Sequence, residues 1–577
     1  MKKKENYNPM AFLEDFRGKD FKGEWPTLPE MFSITVKRFG DRPCFTDFEG
    51  PNGSKNTLTY NEVYAKVQTL KNYLVKNGLE HGDHVAVTGK NSPEWAIVYL
   101  ATLYAGGVIC PMDFGLHIEE QENLLKTAEP KFLFVDDDKY EYYASKRRKY
   151  KVLALNKSHE DKYVYNLSAP EQKGIKAAEC DETAAILFTS GTTGVPKGVM
   201  LSHKNLVSDC YIAQTHMRLY ETDVFYAILP IHHAYTMLAV FIESISVGAE
   251  VVFGKSMAVT RLMKELKEGQ ITMLLGVPLL FNKLITGIMK GIRAKGALVY
   301  GIIRFLMGFS FFVKKVFGVN IGKKLFKGIL KKANLYTLRI AICGGGPLAK
   351  SIFKKYQQLG IDFVQGYGLT ETSPILTLNP VEHFKIESIG SPFEGYMELK
   401  INNPDADGVG EICVKGPMVM QGYYKMPEET AKMFTEDGWF KTGDLGWQDS
   451  EGYVMLSGRA KNMIVTEGGK NVYPEEIEDA FQLETDLQQV TVKGYIADEA
   501  TKSEALEAMV YPADDLFTKA KLTRETASDE EVYKLVSEIV ARVNKNLLPY
   551  QRISKITVLK EALEMTTTLK VKRKFDK

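Results

Sequence analysis

Acidic side chains are missing from a long stretch of this chain: between Gly269 and Ile361 there is no Asp or Glu, yet 16 of the 74 Lys and Arg fall there. The overall net charge of +2 hides this split, since the remainder carries 58 basic against 72 acidic residues. A basic island in an acidic protein calls for an anionic partner surface, because crowded like charges repel until something neutralises them. Cysteine is scarce too. Cys44, Cys110, Cys180, Cys210, Cys343 and Cys413 are far apart and form no CxxC pair. That argues against a disulfide framework or a thiolate zinc site and for a reducing compartment. No apolar core of signal-peptide length follows Met1-Lys-Lys-Lys-Glu5, so the expected setting is the cytoplasm. Repeats and low-complexity tracts are absent as well, and with 45% hydrophobic residues over 577 positions the chain is globular, with room for more than one core.

What is present is an alternation of strand and helix periods. Thr59-Tyr-Asn-Glu62 reads as a capping box opening an amphipathic helix that runs to Gly78. His84 to Thr88 reads as a buried strand, Pro93 to Gly106 as a helix and Gly107 to Pro111 as the next strand. Apolar runs at 131–135, 184–188, 250–253 and 338–342 continue the series. The pattern predicts an α/β fold: a large N-terminal body of layered subdomains with largely parallel sheets. From about 391 to 458, short segments broken by Gly, Pro and Asp predict a small β-rich subdomain. A third texture follows, with helices at 474–482 and 530–548, so the expected division is 1–460 and a small mobile α+β domain over 461–577.

Thr189-Ser-Gly-Thr-Thr-Gly-Val-Pro-Lys-Gly198 follows the 184–188 run, so a strand delivers it into a loop. The hydroxyls of Thr189, Ser190, Thr192 and Thr193, backbone amides freed by Gly191 and Gly194, and the cation of Lys197 are what a polyphosphate needs. The Walker pattern fails, because Pro196 stands at its second glycine and Gly198 follows the lysine. A Ser/Thr/Gly surface loop is the plainer reading of such a segment.

The segment resembles, almost letter for letter, the phosphate loop of the adenylate-forming superfamily, which includes acyl-CoA synthetases, luciferases and peptide-synthetase adenylation domains. The resemblance extends over nearly the whole chain. Gln365-Gly-Tyr-Gly-Leu-Thr-Glu-Thr372 looks like the second signature, with Gln365, Gly366, Tyr367 and Gly368 on the nucleotide. It implies that Tyr367 stacks on adenine, Thr370 binds the α-phosphate and Glu371 holds Mg²⁺. Carboxylate oxygen suits that hard cation, and an aromatic face suits a purine. Gly344, Gly345 and Gly346 resemble the loop lining the adenine pocket and are not a dinucleotide fingerprint. Asp444 matches the family aspartate that accepts from both ribose hydroxyls, and Arg459 matches a ribose-contacting arginine.

The reaction so implied joins a carboxylate to ATP, releasing pyrophosphate, and then passes the acyl group to the thiol of coenzyme A, releasing AMP. Two anions meet in the first step, so repulsion is the barrier, and one well-placed donor lowers it by about 3 to 4 kcal/mol. By resemblance Lys570, in Met565-Thr-Thr-Thr-Leu-Lys-Val-Lys-Arg573, is the catalytic cation, with Lys572 beside it. Leu569 stands where many members have Gly. A solvated basic tail fits the same residues. Lys461 matches the hinge residue, and Asn462 stands where many relatives have an acid. Rotation there would exchange Lys570 for the loop carrying Gly468 and Gly469.

Leu229-Pro-Ile-His-His-Ala-Tyr235 resembles the motif that opens the acyl pocket, with His233 near the substrate carboxylate and His232 and Tyr235 lining the pocket. Polar core histidines fit the same text. The acid-free stretch holds 18 residues, Gly296 to Val313, with the single charge of Arg304. On one continuous helix Lys290, Arg293, Arg304 and Lys315 would share an arc of about 60°, apt for an anionic bilayer surface. Burial against the body, a partner subunit or a membrane span fits the same composition. Nucleic acid is not expected, because stacking platforms and a binding motif are missing. The chain thus resembles long-chain fatty acid:CoA ligases, which have a basic apolar insert like the one at about 287–335, and the implied site is cytoplasmic at the inner face of a membrane. A carrier-protein acceptor, a medium-chain or aromatic acid, and a silent nucleotide-binding scaffold remain alternatives. Replacing Lys570 by Ala is expected to abolish adenylate formation while sparing thioester formation from supplied acyl-adenylate; equal loss of both steps refutes the assignment.

Overall fold

Helix starts follow local rules. Thr27 and Thr59 each accept a bond from the backbone N–H three residues on, and Glu30 and Glu62 reach back, closing two capping boxes ahead of the Leu28–Phe39 and Tyr60–Lys76 helices. Ser92 caps the Pro93–Tyr104 helix, whose residues are buried from Pro93 to Leu103, which is why it carries no polar stripe. The computed structural model describes residues 8–146, 148–189, 196–346, 348–466, 470–498, 503–565 and 571.

Two large sheets build the body. One has eight strands, in the order Ile375–Leu378, Asp362–Gly368, Ile340–Cys343, Met273–Gly276, Val224–Ala227, Glu250–Phe253, Pro43–Asp47 and Asn56–Thr59. Its inner pairs are parallel and its two edge pairs antiparallel. The second has seven, in the order Gly422–Tyr423, Lys197–Ser202, Thr183–Thr189, Val108–Met112, His84–Thr88, Phe132–Val135 and Lys151–Ala154. Its parallel strands are near-continuous apolar runs, as buried parallel strands require. Phe241 ties the two sheets together, meeting Phe45 of the first and Trp95 of the helix that follows a strand of the second.

A four-stranded antiparallel sheet follows over Glu398–Asn402, Gly410–Lys415, Phe440–Gln448 and Val454–Arg459. The C-terminal five-stranded sheet, with Ser503–Pro512 at its centre, packs on the Pro474–Phe481 and Asp529–Asn544 helices. Ile477, Val492, Val510 and Val536 belong to a core of its own. The architecture is α/β, a large body followed by a small α+β unit.

The acid-free stretch folds as the Pro278–Arg293 and Ala297–Phe317 helices and two short ones, Gly322–Leu325 and Lys327–Lys332. The single arc expected for Lys290, Arg293, Arg304 and Lys315 does not form. The chain breaks at 294–296, where Gly296 holds φ at 102°, leaving two of these cations on each helix. Lys315 also turns inward, donating to the Phe384 carbonyl at 3.1 Å and standing over that ring. Lys314 pairs at 2.6 Å with Asp362, the first acid beyond the stretch.

The insert closes onto the body where Gly360, at φ 85°, leaves a Cβ no room: it would lie 2.0 Å from the Lys323 backbone nitrogen. Gly360→Ala should therefore lower stability by about 2 kcal/mol or more, seen as a fall in the urea midpoint. A change under about 0.5 kcal/mol would show that this junction yields freely.

Candidate active site

In open parallel sheets, ligands sit beyond the carboxyl ends of strands, and two such ends meet here. Ile340–Cys343 delivers Gly344, Gly345 and Gly346, and the neighbouring Asp362–Gly368 strand carries Gln365, Gly366, Tyr367 and Gly368. Position 368 tolerates only glycine, since an added Cβ would fall 1.5 Å from the Pro374 carbonyl oxygen. Beyond it Thr370, Glu371 and Thr372 form one tight turn, pinned by a bond from the Leu369 N–H to the Thr372 hydroxyl at 3.0 Å.

Tyr367, Asp444 and Arg459 come together from three strands. The Tyr367 hydroxyl donates to Asp444 Oδ2 at 2.7 Å, and Arg459 Nε meets Asp444 Oδ1 at 2.8 Å. Asp444 and Arg459 are directly paired across antiparallel strands, so register fixes the contact. Asp444 is 3% exposed, a burial that an anion tolerates only with such partners. Burial, and then the Asp444 charge, push the Tyr367 phenol up, so it stays a donor. A carboxylate has about four acceptor directions, so Asp444 is suited to serving several donors at once.

Glu371 and Lys197 lie on different sheets and are linked through Tyr423, a residue sequence reasoning missed. The Tyr423 hydroxyl donates to Glu371 Oε1 at 2.8 Å, and its ring stands 4.8 Å from Lys197 Nζ. Lys197 reaches Glu429 at 2.7 Å, and Lys432 reaches the other Glu429 oxygen at 2.5 Å. These two ammonium groups, Lys197 first, hold the Glu429 carboxyl down to about 2, so the Lys197 ion pair persists through neutral pH. Glu429 was missed as well. Its local signal is modest: it lies in the acidic first turn of a helix opened by Pro427.

The pocket-motif residues are placed differently. His232 is buried 3.6 Å from Asp113, edge-on to Phe114. His233 caps a short turn, accepting from the Tyr235 N–H at 3.4 Å, and the Tyr235 hydroxyl donates to the Ile342 carbonyl at 3.0 Å. Thr189 ends its strand opposite Lys197. Ser190, Gly191, Thr192, Thr193 and Gly194, with Gly468, Gly469 and Lys570, lie outside the described residues. Lys461 sits in the Ala460–Asn462 turn, where Asn462 donates to Glu475 at 2.6 Å. The acid absent at 462 is thus supplied by Glu475 from the next helix.

A cleft of about 2500 Å³ runs between the body and the C-terminal unit, walled by Tyr367, Asp444, Arg459, the Pro278–Arg293 helix and the acidic Pro474–Phe481 helix. Met565 and Val571, bridged to each other, line it too. Polar contacts hold the two units: the Ala349 N–H donates to Gln482 Oε1 at 2.9 Å, and Asn282 donates to the Gln482 carbonyl. Burial, then Glu475, raises Glu476 to about 7; burial, then Glu478, raises Asp479 to about 8. Both titrate near 4 in solvent. Their deprotonation penalty is absent at low pH and grows as pH rises towards about 8, so alkalinity works against this docked arrangement.

The model of AMP-binding enzymes matches residues 32–424, most of the chain, including Lys197, Tyr367, Thr370, Glu371 and Tyr423. The chain belongs to the AMP-binding enzyme family. Among relatives, it is 30% identical over 501 residues to the long-chain-fatty-acid–CoA ligase heimdall of Drosophila melanogaster, covering 79% of this chain and 73% of the relative. It is 27% identical over 552 residues to the chloroplastic long-chain-fatty-acid–[acyl-carrier-protein] ligase AEE15 of Arabidopsis thaliana, covering 82% and 75%. The ATP-bound structure of MatB from Rhodopseudomonas palustris superposes with a TM-score of 0.72 at 26% identity, over 95% of this chain and 97% of that one. At the level of class, this family member is an ATP-dependent, adenylate-forming acyl-CoA ligase. Asp444→Asn should weaken ATP binding by about tenfold to a hundredfold in calorimetric titration, the worth of one or two charge-assisted bonds. Unchanged affinity would leave Asp444 as an anchor for Tyr367 and Arg459 only.

Proposed function

We propose that the protein activates a long-chain fatty acid as its acyl-adenylate and passes the acyl group to coenzyme A. The observation that carries this reading is the cleft itself, whose lining joins Tyr367 and Asp444 with the apolar side chains Leu280, Leu284, Ile288 and Ile292. A mixed lining of this kind suits an acid that carries an alkyl chain.

In the first half-reaction a carboxylate oxygen attacks the α-phosphorus of ATP and pyrophosphate leaves. Tyr367 offers adenine its ring, Asp444 accepts from the ribose, Arg459 steadies that carboxylate, and Thr370 binds the α-phosphate. Lys197, with the loop from Thr189 to Gly194, takes the departing phosphates, for which Glu429 holds the ammonium in place. His233 serves the carboxylate end of the acid. Glu371 fits Mg²⁺: it presents a carboxylate oriented by the Tyr423 hydroxyl. Among the described residues no group of three or more His, Cys, Asp or Glu could hold a metal by itself, so the ion's other ligands would be phosphate oxygens and water. Bound there, the cation would neutralise phosphate charge. Lys570 bridges carboxylate and phosphate. Then the C-terminal unit turns about Lys461, Gly468 and Gly469 replace Lys570, and the thiol of coenzyme A attacks the acyl carbon, releasing AMP.

A carrier-protein acceptor is the second reading, favoured by the resemblance to the Arabidopsis acyl-carrier-protein ligase. Pyrophosphate release measured across fatty acids of rising length, with and without coenzyme A, tests both. The ratio kcat/KM should climb about fourfold per added methylene until the cleft is filled, following about 0.8 kcal/mol per buried CH₂, and AMP release should require coenzyme A. Preference for short or aromatic acids overturns the long-chain reading; AMP release with a carrier protein and not with coenzyme A overturns the acceptor.

A further inference from the structure

The Ala297–Phe317 helix is, among the described residues, the one helix long and apolar enough to cross a membrane, yet only 11% of its most apolar window is buried. Its exposed side chains form a pattern. Leu298, Ile302, Phe305, Phe309, Phe312 and Val316 are all exposed, with Leu298 at 78% and Phe305 at 73%. Their spacing of four, three, four, three and four residues puts them within about 80° of arc on a helix about 31 Å long. Burying none of these side chains forfeits their transfer energy, which a soluble surface rarely does over so long a stripe.

The opposite face is fastened to the body. Met307 and Ser310 are buried, Lys314 pairs with Asp362 at 2.6 Å, and Lys315 bonds to the Phe384 carbonyl. A helix tied down along its inner side lies flat; spanning would strip these cations of their partners. The surroundings are basic throughout. Lys290 and Arg293 on the preceding helix, Arg304 on this one, and Lys324, Lys327 and Lys331 beyond it are exposed, with no acidic residue between Gly269 and Ile361 to compensate them. Two copies meeting stripe to stripe would bring two such basic collars together, which like-charge repulsion opposes. An anionic bilayer matches both, its acyl chains taking the stripe and its headgroup phosphates the collar.

We propose that this helix lies in the plane of an anionic bilayer surface, with its six-residue apolar stripe among the acyl chains and the surrounding Lys and Arg on lipid phosphates. The inference stands apart from the choice of acid substrate, and its test uses neither nucleotide nor fatty acid.

Flotation of the full-length protein with vesicles of phosphatidylcholine alone, or with about 30% phosphatidylglycerol, reads it directly. The expected result is flotation with the anionic vesicles, reduced about tenfold or more in Phe305→Ser/Phe309→Ser, and lost both in Lys290→Glu/Arg293→Glu/Arg304→Glu and for the wild-type protein on raising salt to about 1 M. These side chains are exposed, so thermal midpoints should stay at the wild-type value and certify that the variants fold. Wild-type protein that stays unbound with both vesicles overturns the proposal. So does equal flotation of the Phe305→Ser/Phe309→Ser variant, or a wild-type dimer that the same substitutions dissociate without any vesicle binding.

Discussion

A site that handles a polyphosphate must hold charges in a partly dry place, and a charge there survives only with a partner. That constraint organises this molecule. Asp444 is held by a phenol and a guanidinium, Lys197 by Glu429, and Glu371 by the Tyr423 hydroxyl. The Tyr367–Asp444 and Tyr423–Glu371 pairings join elements of different sheets, so those sheets must be placed against one another before the site exists. For the two large sheets, the shared aromatic core around Phe241 supplies that placement.

Much of this was legible in sequence because the nucleotide-side residues occupy single turns at strand ends. Gln365 to Thr372 needs only its own strand and turn to reach its place, and the capping box at Thr59 and Glu62 needs only its own helix. What was not legible is the set of partners. Tyr423 lies 52 residues from Glu371 along the chain, and Glu429 lies 232 from Lys197. No periodicity encodes such distances. At position 462 the sequence shows an amide where many relatives have an acid, and only the fold brings the Glu475 carboxylate beside it.

The acid-free insert shows a different limit. Composition marks the stretch out, but a helical phase carried across Gly296 fails because the backbone resets there. Once the break is placed, the exposed apolar stripe separates from the cations, and one of them, Lys315, proves to bond to the body, as does its neighbour Lys314. The Pro278–Arg293 helix contributes to this insert and also walls the large cleft. Surface chemistry outside and substrate space inside are therefore two faces of one short segment.

The C-terminal unit keeps its own sealed interior, while its meeting with the body is made by amides and carboxyls such as Gln482, Asn282 and Asp479. Parting such a seam frees donors and acceptors that water can satisfy at once. The hydrogen bonds of the joint can therefore be undone and remade in water at little net cost.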